Sequence, residues 1–206
     1  DVLGSRNPKY KSTWENTSRI IKTADKLGYT NVLCPSSYQV GQDTLTYVSA
    51  MATLTKQINF LAAIRCGEVH PPMLARAIAT LDHILKGRLT INIISSNLPG
   101  SNLESSKRYA RSREVIEILK QAWTKDEINF KGDFYNINLS SAPVKPFQQN
   151  GGPLLYFGGY SPDGVDLCAE HCDVYLMWPD TEDKLQILIS NMKTKALVYN
   201  RTVEFG

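Results

Sequence analysis

The sequence predicts a parallel α/β fold, and within that class it favours a (β/α)8 barrel over a doubly wound sheet. Strand-like and helix-like segments alternate about six times along the 206 residues, as expected for parallel strands joined by crossover helices. Strand segments such as "FLAAI" are apolar throughout, which is typical of strands covered on both faces. No Gly-x-Gly-x-x-Gly turn of a dinucleotide-binding sheet occurs, whereas a glycine turn late in the chain fits a barrel that binds phosphate.

The spacing of apolar residues predicts the elements in chain order. Helical periodicity marks the first helix, and Gly28 stands just past its end. Helices are expected at 14–27, 43–55, 72–85, 107–124, 162–171 and 181–198. Strands are expected near 31–34, 58–64, 88–94, 154–157 and 173–177, and "TVEFG" begins a further strand.

Residues 126–153 interrupt this alternation. Alternating residues around Lys131-Gly132-Asp133 predict a β-hairpin. A loop rich in proline, glycine and glutamine, "APVKPFQQNGGP", then leads back to the strand at 154–157. We therefore expect one partial barrel domain over 1–206, with a hairpin and loop inserted at 126–153.

Composition excludes several classes of function. A net charge of +3 is too small to indicate nucleic acid, and no Lys/Arg block indicates a membrane surface. No transmembrane run or signal-peptide pattern occurs, so a cytoplasmic protein is expected. Four cysteines in a chain of this length predict free buried thiols rather than a disulfide framework. No metal site is expected, because Cys168, His171 and Cys172 have no second ligand pair nearby.

The stretch "LLYFGGYSPDG", residues 154–164, combines the features of an anion site. An apolar strand ends in two glycines, Ser161 is a suitable helix N-cap, and Pro162 suits a first helical position. Bare amides at a helix N-terminus bind anions, most often phosphate. From these residues alone, a tight turn between strand and helix is the favoured interpretation, and the anion site is the alternative.

Several segments together resemble the bacterial luciferase-like flavin-dependent monooxygenases, most closely the alkanesulfonate monooxygenase branch. They are "HPPMLARAIATLDHILKGRLTINIISS", "SKRYARSREVIEILKQAW", "GGPLLYFGGYSPDGVDLCAEHCDVYLMW" and "RTVEFG". The resemblance implies a luciferase-like (β/α)8 TIM barrel that is incomplete in this chain. By the family pattern the chain would begin after the first barrel strand and stop within the seventh. An active-site arginine and histidine of the sulfonate branch would then lie beyond Gly206.

The resemblance also implies which residues bind the flavin. Gly159, Tyr160 and Ser161 match the turn that receives the FMN phosphate, and Tyr109 matches a tyrosine that reaches the same phosphate. The neighbours of Tyr109, Lys107 and Arg108, can add positive charge. Ring contacts are implied for four further residues: Ala63, Ser95, Ser96 and Trp178. The Ala62–Ala63 step resembles one that is cis in luciferase, and its two small residues end a strand. A cis peptide is therefore expected there or at the immediately neighbouring bond if the active-site geometry is intact.

The resemblance does not identify a catalytic residue with the same clarity. The segment "PSSYQVGQD" follows the strand at 31–34, where relatives carry a histidine or a cysteine, and it contains neither. Ser95, Arg65 and His70 remain as candidates. The catalytic base is therefore expected beyond Gly206.

The function implied by the resemblance is oxidation of a small organic substrate, alkanesulfonate-like or related, with reduced FMN and O2. A separate NAD(P)H-dependent flavin reductase would supply the reduced FMN, and a homo-oligomer is expected. Two alternatives stay open. One is an F420-dependent oxidoreductase of the same barrel family, and the other is a non-catalytic flavin-binding subunit.

Overall fold

The computed structural model describes residues 12–39 and 41–206. The helices are α1 (Trp14–Lys26), α2 (Thr44–Ala52), α3 (Pro71–Leu85), α4 (Ser105–Thr124), α5 (Pro162–His171) and α6 (Glu182–Val198). The strands are β1 (Asn31–Cys34), β2 (Asn59–Arg65), β3 (Leu89–Ile94), β4 (Glu127–Lys131), β5 (Asn136–Ser140), β6 (Leu155–Phe157), β7 (Val174–Tyr175) and β8 (Glu204–Phe205).

Six strands form one parallel sheet in the order β1-β2-β3-β6-β7-β8. Each strand lies beside the one that precedes it in the chain, apart from the hairpin strands β4 and β5. A doubly wound sheet would reverse this order at a switch point, and no reversal occurs among the described strands. The sheet is a curled parallel half-barrel, which fits the expected incomplete barrel.

The helices form a single layer outside this sheet. Consecutive helices from α2 to α6 pack side by side. In β3, Leu89, Ile91 and Ile93 are buried, whereas the residues that alternate with them are half-buried. The buried set packs under the helices, because successive side chains of a strand point to opposite faces. The other set, which includes Asn92, lies on the concave inner face.

Helix ends follow the capping signals of the sequence. Asp43 caps α2 by accepting a hydrogen bond from the Thr46 N–H group at 2.9 Å, and Thr13 caps α1 in the same way. Past the end of α3, Lys86 adopts a left-handed conformation with φ 53°. Gly87, with φ 82°, follows it, which is a common helix ending.

Helix α2 is shorter than predicted, because the chain beyond it is held by another element. The Asp25 carboxylate accepts hydrogen bonds from the N–H groups of Lys56, Gln57 and Ile58, at 3.0, 2.9 and 2.8 Å. These bonds direct the chain into β2 and prevent the helix from continuing to residue 55. Burial raises the pKa of Asp25, but the three hydrogen bonds outweigh it and leave this pKa below its ordinary value.

The predicted hairpin leaves the half-barrel between α4 and β6, and it is attached to α4. The Glu114 carboxylate accepts hydrogen bonds from the N–H groups of Asp133, Phe134 and Tyr135, at 2.7, 3.0 and 3.0 Å. Gly132 fits here because a Cβ would stand 2.4 Å from the Glu114 carboxyl carbon. The hairpin position is therefore set by a helix that also contributes to the site below.

No helix of the described ranges combines the length and apolar character needed to cross a membrane. The four cysteines are buried and free of disulfides.

Candidate active site

A cavity of about 620 Å³ opens at the carboxyl ends of β3, β6 and β7. The cavity is lined by five of the residues for which the family resemblance implied flavin binding: Ser95, Ser96, Tyr109, Gly159 and Trp178. They come from three strand ends and from α4. The carboxyl ends of parallel strands meet at one edge of a sheet, and barrel enzymes place their active sites at this edge.

The turn between β6 and α5 forms one end of the cavity. Ser161 is the N-cap of α5, and its Oγ accepts a hydrogen bond from the Gly164 N–H group at 3.2 Å. A hydrogen bond of 3.0 Å joins Ser161 Oγ and Tyr109 Oη, and either hydroxyl can donate it. The N–H groups of Gly159, Tyr160 and Ser161 donate to no acceptor among the described residues. Two hydroxyls and these amides thus meet at the positive end of a helix.

Two glycines keep this turn open. A Cβ on Gly159 would stand 2.5 Å from the Phe157 ring. A Cβ on Gly164 would stand 3.1 Å from Tyr109 Oη and 3.2 Å from Ser161 Oγ. Either side chain would occupy space that the hydroxyls share. We call this arrangement of Tyr109, Gly159, Ser161 and Gly164 the hydroxyl cradle.

Tyr175 fixes the cradle from below. Its hydroxyl donates to the Gly159 carbonyl oxygen at 3.2 Å. Burial raises the pKa of Tyr175 to about 12, so this hydroxyl keeps its proton at neutral pH. The Tyr109 ring adds an edge-to-face contact with Phe157, at 6.2 Å between centroids.

The Tyr160 side chain points away from the cradle. Its hydroxyl accepts a hydrogen bond from the Trp178 N–H group, and its ring packs edge-on against Tyr175. Tyr160 and Trp178 also line a neighbouring cavity of about 430 Å³. Tyr160 can therefore contact a phosphate in the cradle through its backbone N–H group but not through its hydroxyl.

Ser95 and Ser96 stand at the end of β3, and each is held by a different element. The Ser95 hydroxyl donates to Ser112 Oγ of α4 at 2.7 Å. Ser96 Oγ accepts a hydrogen bond from the Arg65 guanidinium. Arg65 also donates to the carbonyl oxygens of Asn97 at 3.0 Å and Ser36 at 2.9 Å. It therefore ties together the loops that follow β1 and β3.

The three catalytic candidates are not brought together. Ser95 lines the cavity, whereas Arg65 lies behind Ser96. His70 directly precedes α3, and its ring contacts Tyr135 of the hairpin at 6.4 Å between centroids. His70 is thus directed to the hairpin rather than to the cavity.

Ala63 is buried in β2 on the inner face, in register with Asn92 of β3. The Ala62–Ala63 peptide is trans, as are the other peptide bonds of the described ranges. The predicted cis peptide is therefore wrong. Both alanines lie inside β2 and pair with Ile91 and Asn92, and a trans backbone preserves that ladder.

Sequence reasoning missed one residue of the site, Ser112, and gave Arg108 too little weight, whereas it placed Asn92, a polar residue in the middle of a strand, in the barrel core or on the flavin floor. Arg108 carries the only charge among the described lining residues, and its Nε donates to the Ser95 carbonyl oxygen at 3.1 Å. Asn92 Oδ1 is buried without a hydrogen-bond partner in the described part of the chain. Ser112 lies behind Ser95 and is fully buried. The spacing of Arg108 and Ser112, four residues apart on one helix face, is the sequence signal that could have identified this pair.

The site is short of groups that bind metals. No three histidine, cysteine, aspartate or glutamate side chains are grouped for metal binding in the described ranges. Burial raises the pKa of the Cys66 thiol, which lies beneath this region, to about 11. The described lining residues provide hydrogen-bonding groups and one positive charge.

Comparison with known proteins identifies the family of the chain. The luciferase-like monooxygenase family profile matches residues 3–205. A sulfoquinovose monooxygenase of Agrobacterium fabrum (strain C58) is 55% identical over 205 residues, which cover 99% of this chain and 53% of that protein. One of Novosphingobium aromaticivorans is 42% identical over 213 residues, covering 100% of this chain and 59% of that protein. The chain thus spans little more than half the length of these relatives.

Two solved structures show that the fold is shared more widely. EDTA monooxygenase from Chelativorans sp. BNC1 matches with a TM-score of 0.82 at 17% identity, over 92% of this chain and 54% of that one. The coenzyme F420-dependent tetrahydromethanopterin reductase from Methanopyrus kandleri matches with a TM-score of 0.79 at 17% identity, over 96% and 62%. The family profile and the relatives agree with the architecture described above: the chain belongs to the luciferase-like monooxygenase family.

Proposed function

We propose that the protein carrying this chain is a monooxygenase that uses reduced FMN and O2 to oxidise a small sulfonate, with sulfoquinovose as the first substrate to test. The observation that carries the proposal is the hydroxyl cradle, which opens into the wall of a cavity large enough for a ligand. Its donors suit a phosphate group. The names of the two curated relatives support the choice of substrate.

The residues present fit FMN. Ser161, Tyr109 and the free N–H groups of 159–161 would hold the phosphate, since a dianion gains from the positive end of α5. Ser95, Ser96 and Trp178 would line the ring, with Ala63 beneath it. When bound, reduced FMN supplies the electrons that activate O2. The protein fixes the ring, excludes water and orients the substrate.

The charge of the cavity supports an anionic ligand. Arg108 is the one charged residue among the described lining residues. Neither Arg108 nor Arg65 has a carboxylate within 4.0 Å in the part of the chain that the structure describes. Uncompensated guanidinium groups raise the local concentration of anions. Phosphate and sulfonate are both anions of this kind.

An F420-dependent oxidoreductase is the second candidate, because the fold is shared with an F420-dependent reductase. The cradle favours FMN, since its two hydroxyls and three amides surround a terminal group. In F420 the phosphate is a diester whose chain continues beyond it. Titration of the intact protein with each cofactor separates the two candidates.

The remaining parts of the proposal concern partners and location. Reduced FMN would come from a separate NAD(P)H-dependent flavin reductase, as the family resemblance implies. We expect a homo-oligomer in a reducing cytoplasm, where the free thiols stay reduced.

The test is O2 uptake by the intact protein with reduced FMN, a flavin reductase and a panel of sulfonates. We expect uptake above the reductase-only background with sulfoquinovose, with matching consumption of the substrate by mass spectrometry. Uptake that no sulfonate stimulates would contradict the substrate class. Turnover with reduced F420 in place of reduced FMN would contradict the cofactor.

A further inference from the structure

The hydrogen-bond chain behind Ser95 has a fixed direction. The Ser112 hydroxyl lies 3.0 Å from the Arg108 carbonyl oxygen, and it must donate there because a carbonyl oxygen only accepts. Ser112 Oγ therefore accepts from the Ser95 hydroxyl at 2.7 Å. A serine hydroxyl has one proton to donate, and Ser95 donates it to Ser112. Ser95 therefore presents only an acceptor to the cavity.

Ser96 has the opposite polarity. A guanidinium has donors and no acceptor, so Ser96 Oγ must accept from Arg65. Arg65 is itself held in place by two backbone carbonyl oxygens. The Ser96 hydroxyl proton donates to no acceptor in the described ranges. Ser96 is thus free to donate into the cavity, beside a residue that can only accept.

We propose that this acceptor–donor pair distinguishes reduced from oxidised FMN. Ser95 Oγ accepts from the N5–H group of the reduced ring, and the Ser96 hydroxyl donates to the neighbouring C4 carbonyl oxygen. This inference rests on the proposed function, because it requires FMN in this cavity.

The chemistry of the ring explains why this pairing would be selective. N5 carries a hydrogen in the reduced ring and a lone pair in the oxidised ring, whereas the C4 carbonyl oxygen accepts in both. Against oxidised FMN, the Ser95 lone pair would face the N5 lone pair. Discrimination is strongest where one ligand leaves a polar group without a partner. The protein would then retain reduced FMN and release the oxidised form, as use of the flavin as a co-substrate requires.

Ser112 is a positioning residue in this scheme. It is fully buried in α4 and does not line the cavity. It acts by holding the Ser95 proton away from the flavin. Loss of the Ser112 hydroxyl would free that proton to be donated to N5 of oxidised FMN.

The test compares the affinities of the intact protein for reduced and oxidised FMN, titrated without O2. Ser95→Ala should weaken reduced FMN by about three- to tenfold, the range expected for one hydrogen bond, and should not weaken oxidised FMN, because the variant also removes the lone pair that faces N5. Ser112→Ala should keep reduced FMN within about twofold and tighten oxidised FMN by about three- to tenfold. If a variant prefers reduced over oxidised FMN by a ratio that is tenfold smaller than in the wild type, the midpoint potential of its bound flavin should be lower by about 30 mV.

Two controls distinguish the loss of a specific hydrogen bond from a general disturbance of the site. Ser106→Ala removes an exposed serine of the same helix and should change neither affinity. Reduced 5-deaza-FMN has a carbon in place of N5, and its binding should be insensitive to Ser95→Ala and Ser112→Ala.

The outcomes also separate this inference from the proposed function. Equal loss of both redox states, or no change in either, would overturn the serine assignment. Equal loss is also the result expected if the pair contacted the N3–H edge, which is a donor in both states. Wild-type protein that binds neither form of FMN would overturn the proposed function and this inference together.

Discussion

The hydroxyl oxygens of Tyr109 and Ser161 lie 3.0 Å apart, although 52 residues separate them along the chain. Tyr109 belongs to α4, and Ser161 caps α5. Their contact places two hydroxyl groups at the point where the N–H groups of the turn have no acceptor in the described part of the chain. An anion at this point would bind both helices at once.

Replacing Ser161 tests whether this anion is the FMN phosphate. Ser161→Ala should weaken FMN by about tenfold to a hundredfold, because a hydrogen bond to a charged group contributes roughly 1.5–3 kcal/mol. Riboflavin has no phosphate and should bind as before. Calorimetric titration with both flavins provides the measurement. Equal loss of both, or of neither, would show that Ser161 is only a helix cap.

The control for the cap is Ser161→Asp. Aspartate also caps helices, so α5 should keep its stability while the added negative charge repels the phosphate. We expect normal thermal unfolding, normal riboflavin binding and weak FMN binding from this variant.

Substitutions of two adjacent glycines, Gly158 and Gly159, test whether the cradle has room for an added Cβ. Gly159→Ala would bring a Cβ to 2.5 Å from the Phe157 ring, whereas Gly158→Ala meets only ordinary contacts at 3.4 Å and beyond. We expect Gly159→Ala to lower FMN affinity at least tenfold, because the turn must shift. Gly158→Ala should stay within about twofold. Similar affinities for the two variants would argue against a close-fitting turn.

The attachment of the hairpin to α4 should depend on Glu114. Glu114→Ala leaves three N–H groups of the turn without their carboxylate, and we expect the hairpin to lose about 2–3 kcal/mol of local stability. Hydrogen exchange over residues 127–140 should rise, with the sheet unaffected. Glu117→Ala, three residues further along the same helix, is the control. Unchanged exchange in Glu114→Ala would mean that other contacts hold the hairpin.

His171 should make the stability of the fold depend on pH. Burial lowers its pKa to about 4, and the charges of Lys120, Arg113 and Arg201 act in the same direction, while Glu170 opposes them. The unfolded chain takes up this proton near pH 6.5. The folded state does not take it up until about pH 4. The free energy of unfolding should therefore fall as the pH drops from about 6.5 towards 4, by at most about 1.4 kcal/mol per pH unit.

The measurement is urea unfolding between pH 7 and pH 4.5. His171→Gln should flatten the slope over this range. His83→Gln removes an exposed histidine of α3 and serves as the comparison. A slope in His171→Gln as steep as that of the wild type would assign the pH dependence to other groups.

The strands and the turn before α5 could be predicted from local signals in the sequence, whereas Tyr109 was assigned to this turn only by the family resemblance. Apolar runs fix the strands, and Ser161-Pro162 fixes the start of α5. The partners of Arg65 could not be predicted, since two of them are backbone carbonyl oxygens whose positions depend on loop geometry. The direction of the Tyr160 side chain depends in the same way on the loop that contains Trp178.

The cis peptide at Ala62–Ala63 was predicted from the resemblance together with two small residues at a strand end, and the structure contradicts it. Small residues at a strand end permit a close approach of the backbone, but they do not by themselves determine the peptide isomer. Ser112 illustrates the opposite case. Its helical spacing from Arg108 was visible in the sequence, but the need for it appears only once Ser95 is seen to donate to it.

The neighbour-by-neighbour order of the sheet has a consequence for synthesis of the protein. A ribosome releases β1, β2 and β3 in the order in which they pair, so each strand can dock on its predecessor as it emerges. The β3–β6 pairing is different, since α4 and the whole hairpin must be made before Leu155 can meet Ile91. Loop closure of this kind is the slow part of folding. The strand end that carries Ser95 and Ser96 therefore gains its second neighbour late, and a pause in translation after the hairpin would leave β3 as an open edge.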